Sequence, residues 1–154
     1  MTTAEEARNA ALLERLKKRP SASPAAALLG AEPLAIDATR GFARLAFQAR
    51  PEFCNPMGIL QGGFITGMLD EAMAIAAVAT RDFVDFVPTL ELKISFFRPV
   101  PPGRLVAEGV VTHLGRRIVF TDARLYDPDG RVCAASTGTA QCRGGRLAPK
   151  ESGG

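Results

Sequence analysis

Residues 63–79 (GFITGMLDEAMAIAAVA) form the longest apolar run of the chain and constrain its fold more than any other feature. Placed at 100° per residue, Ile65, Leu69, Ala72 and Ala76 share one stripe, flanked by Met68 and Met73, which is the spacing of a core-facing helix. The run is interrupted by Asp70 and Glu71 and is shorter than the ~20 residues a bilayer requires, so it needs protein to cover it. Nearly everything around it reads as strand. EPLAIDA and FARLAFQAR precede it, separated by Thr39-Arg40-Gly41. Strand patterns follow at 88–98, 104–114, 117–126 and 131–142, broken by Pro99 to Gly103, by Gly115-Arg116 and by Asp127 to Gly130. The expected fold is α+β: a long central helix wrapped by a curved, mainly antiparallel sheet of about six strands, the last four running as a meander.

Residues 4–18 are strong helix formers stopped by Pro20, and they predict an extra N-terminal helix. The segment PSASPAAALLG reads as a linker and a short helical turn that Gly30 ends. The expected organisation is therefore an N-terminal helix and linker over 1–31, one domain over 32–143 and a disordered tail over 144–154. At 154 residues there is room for a single core of ordinary size.

Nineteen basic residues against 16 acidic ones give a net charge of +3 without a one-sign block, so no nucleic-acid footprint is expected. Cys54, Cys133 and Cys142 form no CxxC and no Cys/His cluster, which predicts reduced thiols and no metal site. Glu5, Glu6 and Arg8 stand where a secretory signal would need a basic start and an apolar run. Together these features predict a cytoplasmic protein without a membrane span. His113, the single histidine, falls within a strand and reads as structural.

The chemistry concentrates between Asn55 and Asp70 (NPMGILQGGFITGMLD). Asp70 falls on the small-residue side of the helix, among Thr66, Gly67, Ala74 and Ala77, while Glu71 sits a step further round. Carboxylates on a largely buried helix are costly unless they are paired or used. Gly62-Gly63 opens the helix, where free amides and the helix dipole polarise a carbonyl or hold an anion. Eight residues separate Gly62 from Asp70, about 12 Å along a helix axis. A base must come within about 3 Å of its target, so the two cannot serve one carbonyl from one chain. If both act, a two-fold dimer must combine Gly62 of one subunit with Asp70 of the other.

The run N-x-x-G-x-x-[H/Q]-G-G-x6-D, followed by the strand TLELKISFFRPV, closely resembles the PaaI-type acyl-CoA thioesterases of the hotdog superfamily over about residues 32–143. The resemblance implies a hotdog fold, hydrolysis of an acyl-CoA thioester to free acid and CoA, and no cofactor. It also implies a homodimer with shared sites, paired further into a dimer of dimers. It casts Asp70 as nucleophile or general base, the Gly62 amide as the group that polarises the thioester carbonyl, and Asn55 as the side chain orienting carbonyl or water. Thr89 matches a hydroxyl that helps place the water. Gln61 stands where many relatives carry histidine; glutamine donates a hydrogen bond but does not titrate near neutrality. Arg98, Arg116 and Arg117 are natural partners for the CoA phosphates, because guanidinium groups grip phosphate in a fork.

Two other functions fit such a fold. One is a non-catalytic acyl-CoA binder, which the glutamine at 61 would suit. The other is an enoyl-CoA hydratase or dehydratase, which would need a histidine that this motif lacks. The acyl group itself is not legible; Phe64, Phe83, Phe86, Phe96 and Phe97 are the aromatic residues available to line a pocket.

Overall fold

In the computed structural model, which describes residues 2–18 and 23–144, the expected elements form with ends shifted by a residue or two. They are α1 (Thr3–Lys17), α2 (Pro24–Leu29), β1 (Glu32–Asp37), β2 (Phe42–Ala49), α3 (Gly62–Ala79), β3 (Thr89–Phe96), β4 (Gly103–Leu114), β5 (Ile118–Tyr126) and β6 (Val132–Gln141). A 3-10 turn over Pro51–Phe53 lies in the loop before α3. The tail from residue 145 onward, expected to be disordered, lies outside the described residues.

The six strands form one sheet in the order β1-β2-β4-β5-β6-β3, with every neighbouring pair antiparallel. α3 packs across its inner face, against β4, β5 and β2 above all. This is the hotdog arrangement. One expectation is corrected: the last four strands are not a single meander. β4, β5 and β6 follow one another, but β3 pairs with β6 and stands at the sheet edge. Proline explains the difference. Pro99, Pro101 and Pro102 hold the connection after β3 extended and remove its amide donors, so no tight hairpin forms. The segment instead crosses the end of the sheet, where Val100 is buried and its carbonyl accepts from the Leu60 amide at 2.8 Å.

The stripe assigned to the core is where the core lies: Ile65, Met68, Leu69, Ala72, Met73 and Ala76 are all buried. Gly109 of β4 permits the close packing. A Cβ there would sit 2.3 Å from the Ala72 carbonyl oxygen, a contact no side chain tolerates. By length and composition α3 could cross a bilayer, yet half of it is buried inside the fold.

α1 begins in a capping box, the Thr2 hydroxyl accepting from the Glu5 amide and the Glu5 carboxylate accepting from the Thr2 amide. It packs on β1, where the Ala38 amide donates to Asn9 Oδ1 at 2.9 Å and Leu12 joins Ile36, Ala38 and Ala79 in a satellite cluster. Arg8 pairs with Asp82 at 2.8 Å just beyond the end of α3. α2 ends at Gly30, whose φ of 66° suits a residue without a side chain.

Candidate functional site

The loop from Arg50 to Gln61 delivers the start of α3. Gln61 is the N-cap, in extended geometry and without a side-chain cap, and its own amide donates to the Phe53 carbonyl at 2.9 Å. Nothing within the helix can accept from the first-turn amides of Gly62 and Gly63, so they remain as donors. Asn55 holds the loop in a turn: its Oδ1 accepts from the Met57 amide at 2.9 Å and its own amide donates to Ile59 at 2.8 Å. The Asn55 side-chain NH2 is left as a donor on this loop.

Beside the helix start lies a groove of about 380 Å³ lined by Ile59, Leu60, Gly62, Phe96, Arg98 and neighbouring apolar residues. The Phe96 ring lies over Gly62, where a Cβ would come within 3.0 Å of its Cζ. Arg98 is exposed and its Nε donates to the Val132 carbonyl at 3.2 Å, which sets the guanidinium at the groove's edge.

The second constellation lies further along α3. Thr89, the first residue of β3, donates from Oγ1 to Asp70 Oδ1 at 2.8 Å. Asp70 is half-buried beside Thr66, Gly67 and Ala74, which are also only partly covered. Glu71 points elsewhere. Desolvation pushes its carboxyl above the ordinary value of 4.5, and the charge of Asp70 adds to the shift.

One chain therefore carries two half-sites: Asn55, Gln61, Gly62, Phe96 and Arg98 at the start of α3, and Asp70 with Thr89 about two turns further on. Arg116 and Arg117 join neither. They belong to the β4–β5 turn, whose Gly115 carbonyl accepts from Arg81 just past the C-terminal end of α3. Among the described residues no cluster of three or more His, Cys, Asp or Glu could hold a metal ion. Two features were not foreseen from the sequence. Phe96 was only one of several aromatic candidates, and its place over Gly62 depends on which strand β3 joins. The other is a cavity over Glu71, roofed by α1 and α2, which the sequence predicts as an N-terminal helix and a short helical turn without placing them over α3.

The model of the thioesterase superfamily matches residues 57–134. A Saccharolobus solfataricus protein named as a candidate esterase is 36% identical over 100 residues, 65% of this chain and 66% of that protein. A medium/long-chain acyl-CoA thioesterase of Salmonella typhimurium is 24% identical over 115 residues, 65% of this chain and 74% of its own. Among solved structures, a phenylacetic acid degradation-related protein of Ralstonia eutropha superposes with a TM-score of 0.77 at 30% identity, covering 84% of this chain and 98% of that one.

Proposed function

Since the chain belongs to the thioesterase superfamily, as a PaaI-type hotdog protein, and thioester hydrolysis is the activity of that class, we propose that its substrate is an acyl-CoA and its active site is shared across a homodimer. The observation that carries this is the placing of the two half-sites at opposite ends of one edge strand. Thr89, which holds Asp70, begins β3; Phe96, which covers Gly62, ends it. Among the described residues β3 has a partner strand on one side only. Its other edge offers unpaired backbone groups next to the exposed Leu90, Phe96 and Phe97. Antiparallel pairing of β3 with its own copy would continue the sheet and set Thr89 of each subunit opposite Phe96 of the other. That closes the 12 Å gap between Gly62 and Asp70 which one chain cannot bridge.

In such a site the Gly62 amide and the dipole of α3 stabilise the negative charge that develops on the thioester carbonyl oxygen. Asp70 acts as general base. Thr89 occupies Oδ1, which leaves Oδ2 to take a proton from water. The water oxygen bonds to the carbonyl carbon, the C–S bond breaks with its electron pair leaving on sulfur, and the proton held by Asp70 passes to the thiolate. A thiolate leaves readily, so glutamine at 61 suffices to orient it and no histidine is needed. Asn55 donates to the carbonyl or the water. Arg98 meets a CoA phosphate at the groove mouth, and Arg116 and Arg117 do so only if a second subunit brings their turn there. We place the reaction in the cytoplasm, in keeping with three unpaired cysteines, and expect the dimers to pair again into tetramers.

The test is CoA-thiol release from a panel of acetyl-, octanoyl-, palmitoyl- and phenylacetyl-CoA. Turnover of one or more of them, lost in Asp70→Asn, supports the proposal. Tight acyl-CoA binding without thiol release would identify a non-catalytic binder instead.

A further inference from the structure

A cavity of about 460 Å³ lies between the N-terminal helices and α3. Its walls include Leu16 of α1, Ala26 of α2, Pro33 of β1, Leu45 of β2, and Glu71 and Ile75 of α3. Small-molecule sites span roughly 300–1,000 Å³, so this space is of binding-site size.

The lining is mainly apolar, and among the described residues Glu71 is its one acid. Among the described residues nothing hydrogen-bonds or ion-pairs with Glu71; only desolvation and the neighbouring Asp70 act on it. Lys17, at the rim, does not serve it: its Nζ lies 3.5 Å from Glu14 Oε1. The Glu71 oxygens are accessible from the cavity and so are open to a partner that arrives from outside.

Asp70 and Glu71 are consecutive on α3, so their side chains leave the helix about 100° apart, Glu71 into this cavity and Asp70 toward Thr89. One turn earlier, a Cβ on Gly67 would meet Leu29 Cδ1 at 3.5 Å, so the end of α2 rests on the helix beside both carboxylates. The part of a substrate nearest to Asp70, after the thioester carbonyl itself, is the acyl group.

We propose that this cavity holds the acyl group, a medium-length chain bearing a hydroxyl that hydrogen-bonds to Glu71. The inference rests on the thioesterase function proposed above. It assigns α1 and α2 the role of selecting the substrate, and it favours a hydroxylated chain over a saturated chain of equal length. A carboxyl pairs with a chain hydroxyl in either protonation state, while a saturated chain leaves it unpaired.

The test measures kcat/KM by CoA-thiol release for acetyl-CoA, octanoyl-CoA and a set of octanoyl-CoAs hydroxylated singly from C3 to C8. Wild type, Ala26→Phe and Glu71→Leu are compared. The wild type should prefer at least one hydroxylated chain to octanoyl-CoA by about tenfold, a typical worth for one hydrogen bond. Glu71→Leu should abolish that preference, and Ala26→Phe should lower the octanoyl-to-acetyl ratio by about tenfold. The proposal is overturned if no hydroxylated chain is preferred, or if folded variants scale every substrate by the same factor. The wild-type preference decides alone where a variant does not fold. Failure of the underlying function looks different: no CoA thiol is then released from any substrate by the wild type.

Discussion

Thr89 Oγ1 donates to Asp70 Oδ1 across 2.8 Å, tying the first residue of the edge strand to the middle of the central helix. The bond fixes one carboxylate oxygen and thereby the direction in which the other points. Thr89→Val, which keeps the shape and removes the donor, should lower kcat about tenfold with a smaller change in KM, the scale of one hydrogen bond. Thr89→Ser should restore most of the rate. Equal kcat for Thr89→Val and wild type would remove Thr89 from the site.

Asp70→Asn should lower CoA-thiol release by about 100-fold or more, as expected for loss of a general base, while the protein still elutes as the wild-type oligomer. Glu71→Gln should cost far less. The reverse order would mean that the wrong carboxylate has been assigned. A single turnover in H2(18)O, followed by mass spectrometry, separates the two roles of Asp70. General-base catalysis labels only the released acid; label in the Asp70 peptide identifies nucleophilic attack followed by addition of water at the Asp70 carbonyl of the anhydride.

Glu71 also predicts how stability depends on pH. Its carboxyl is raised above 4.5 by burial, so the folded chain holds this proton after the unfolded chain has lost it. Below 4.5 both states are protonated and the contribution is fully present. As pH rises past 4.5 the unfolded state ionises first, and stability falls until the folded group ionises too. Denaturant midpoints of wild type and Glu71→Gln, taken from pH 4 to pH 8, should show the variant gaining on the wild type as pH increases. A wild type that holds level with the variant or gains on it as pH rises would contradict the desolvation of Glu71.

Gly109→Ala tests the seat of the helix on the sheet. The added methyl would meet the Ala72 backbone at 2.3 Å, which neither a rotamer change nor a flexible neighbour relieves. Overpacking of this kind costs about 1–3 kcal/mol or more, which thermal melting would detect. An unchanged Tm would mean that α3 lies further from β4.

Much of this was legible in the sequence. The 3.6-residue spacing of Ile65, Leu69, Ala72 and Ala76 located the core face of α3, because burial and periodicity are the same fact seen twice. The separation of Gly62 from Asp70 followed from helix geometry alone. Strand order did not, since the run from Phe97 to Gly103 reads equally as a turn or a crossing until the three prolines are given their full steric weight. Phe96 over Gly62 and the roof that Leu16 and Ala26 place over Glu71 were also hidden. Both depend on contacts between elements distant in the sequence, and no local pattern encodes them.

The central claim, that each active site joins Gly62 of one subunit to Asp70 of the other, is tested most directly by complementation. Gly62→Pro removes the amide donor at the first helical position, where proline is otherwise tolerated, and Asp70→Asn removes the base. Each homodimer should be nearly inactive. Unfolded together and refolded at equal concentration, they should regain about a quarter of wild-type activity, because half of the dimers are mixed and each mixed dimer contains one intact site. If the mixture stays as inactive as its parents although mixed dimers form, the site lies within a single chain and the account is wrong.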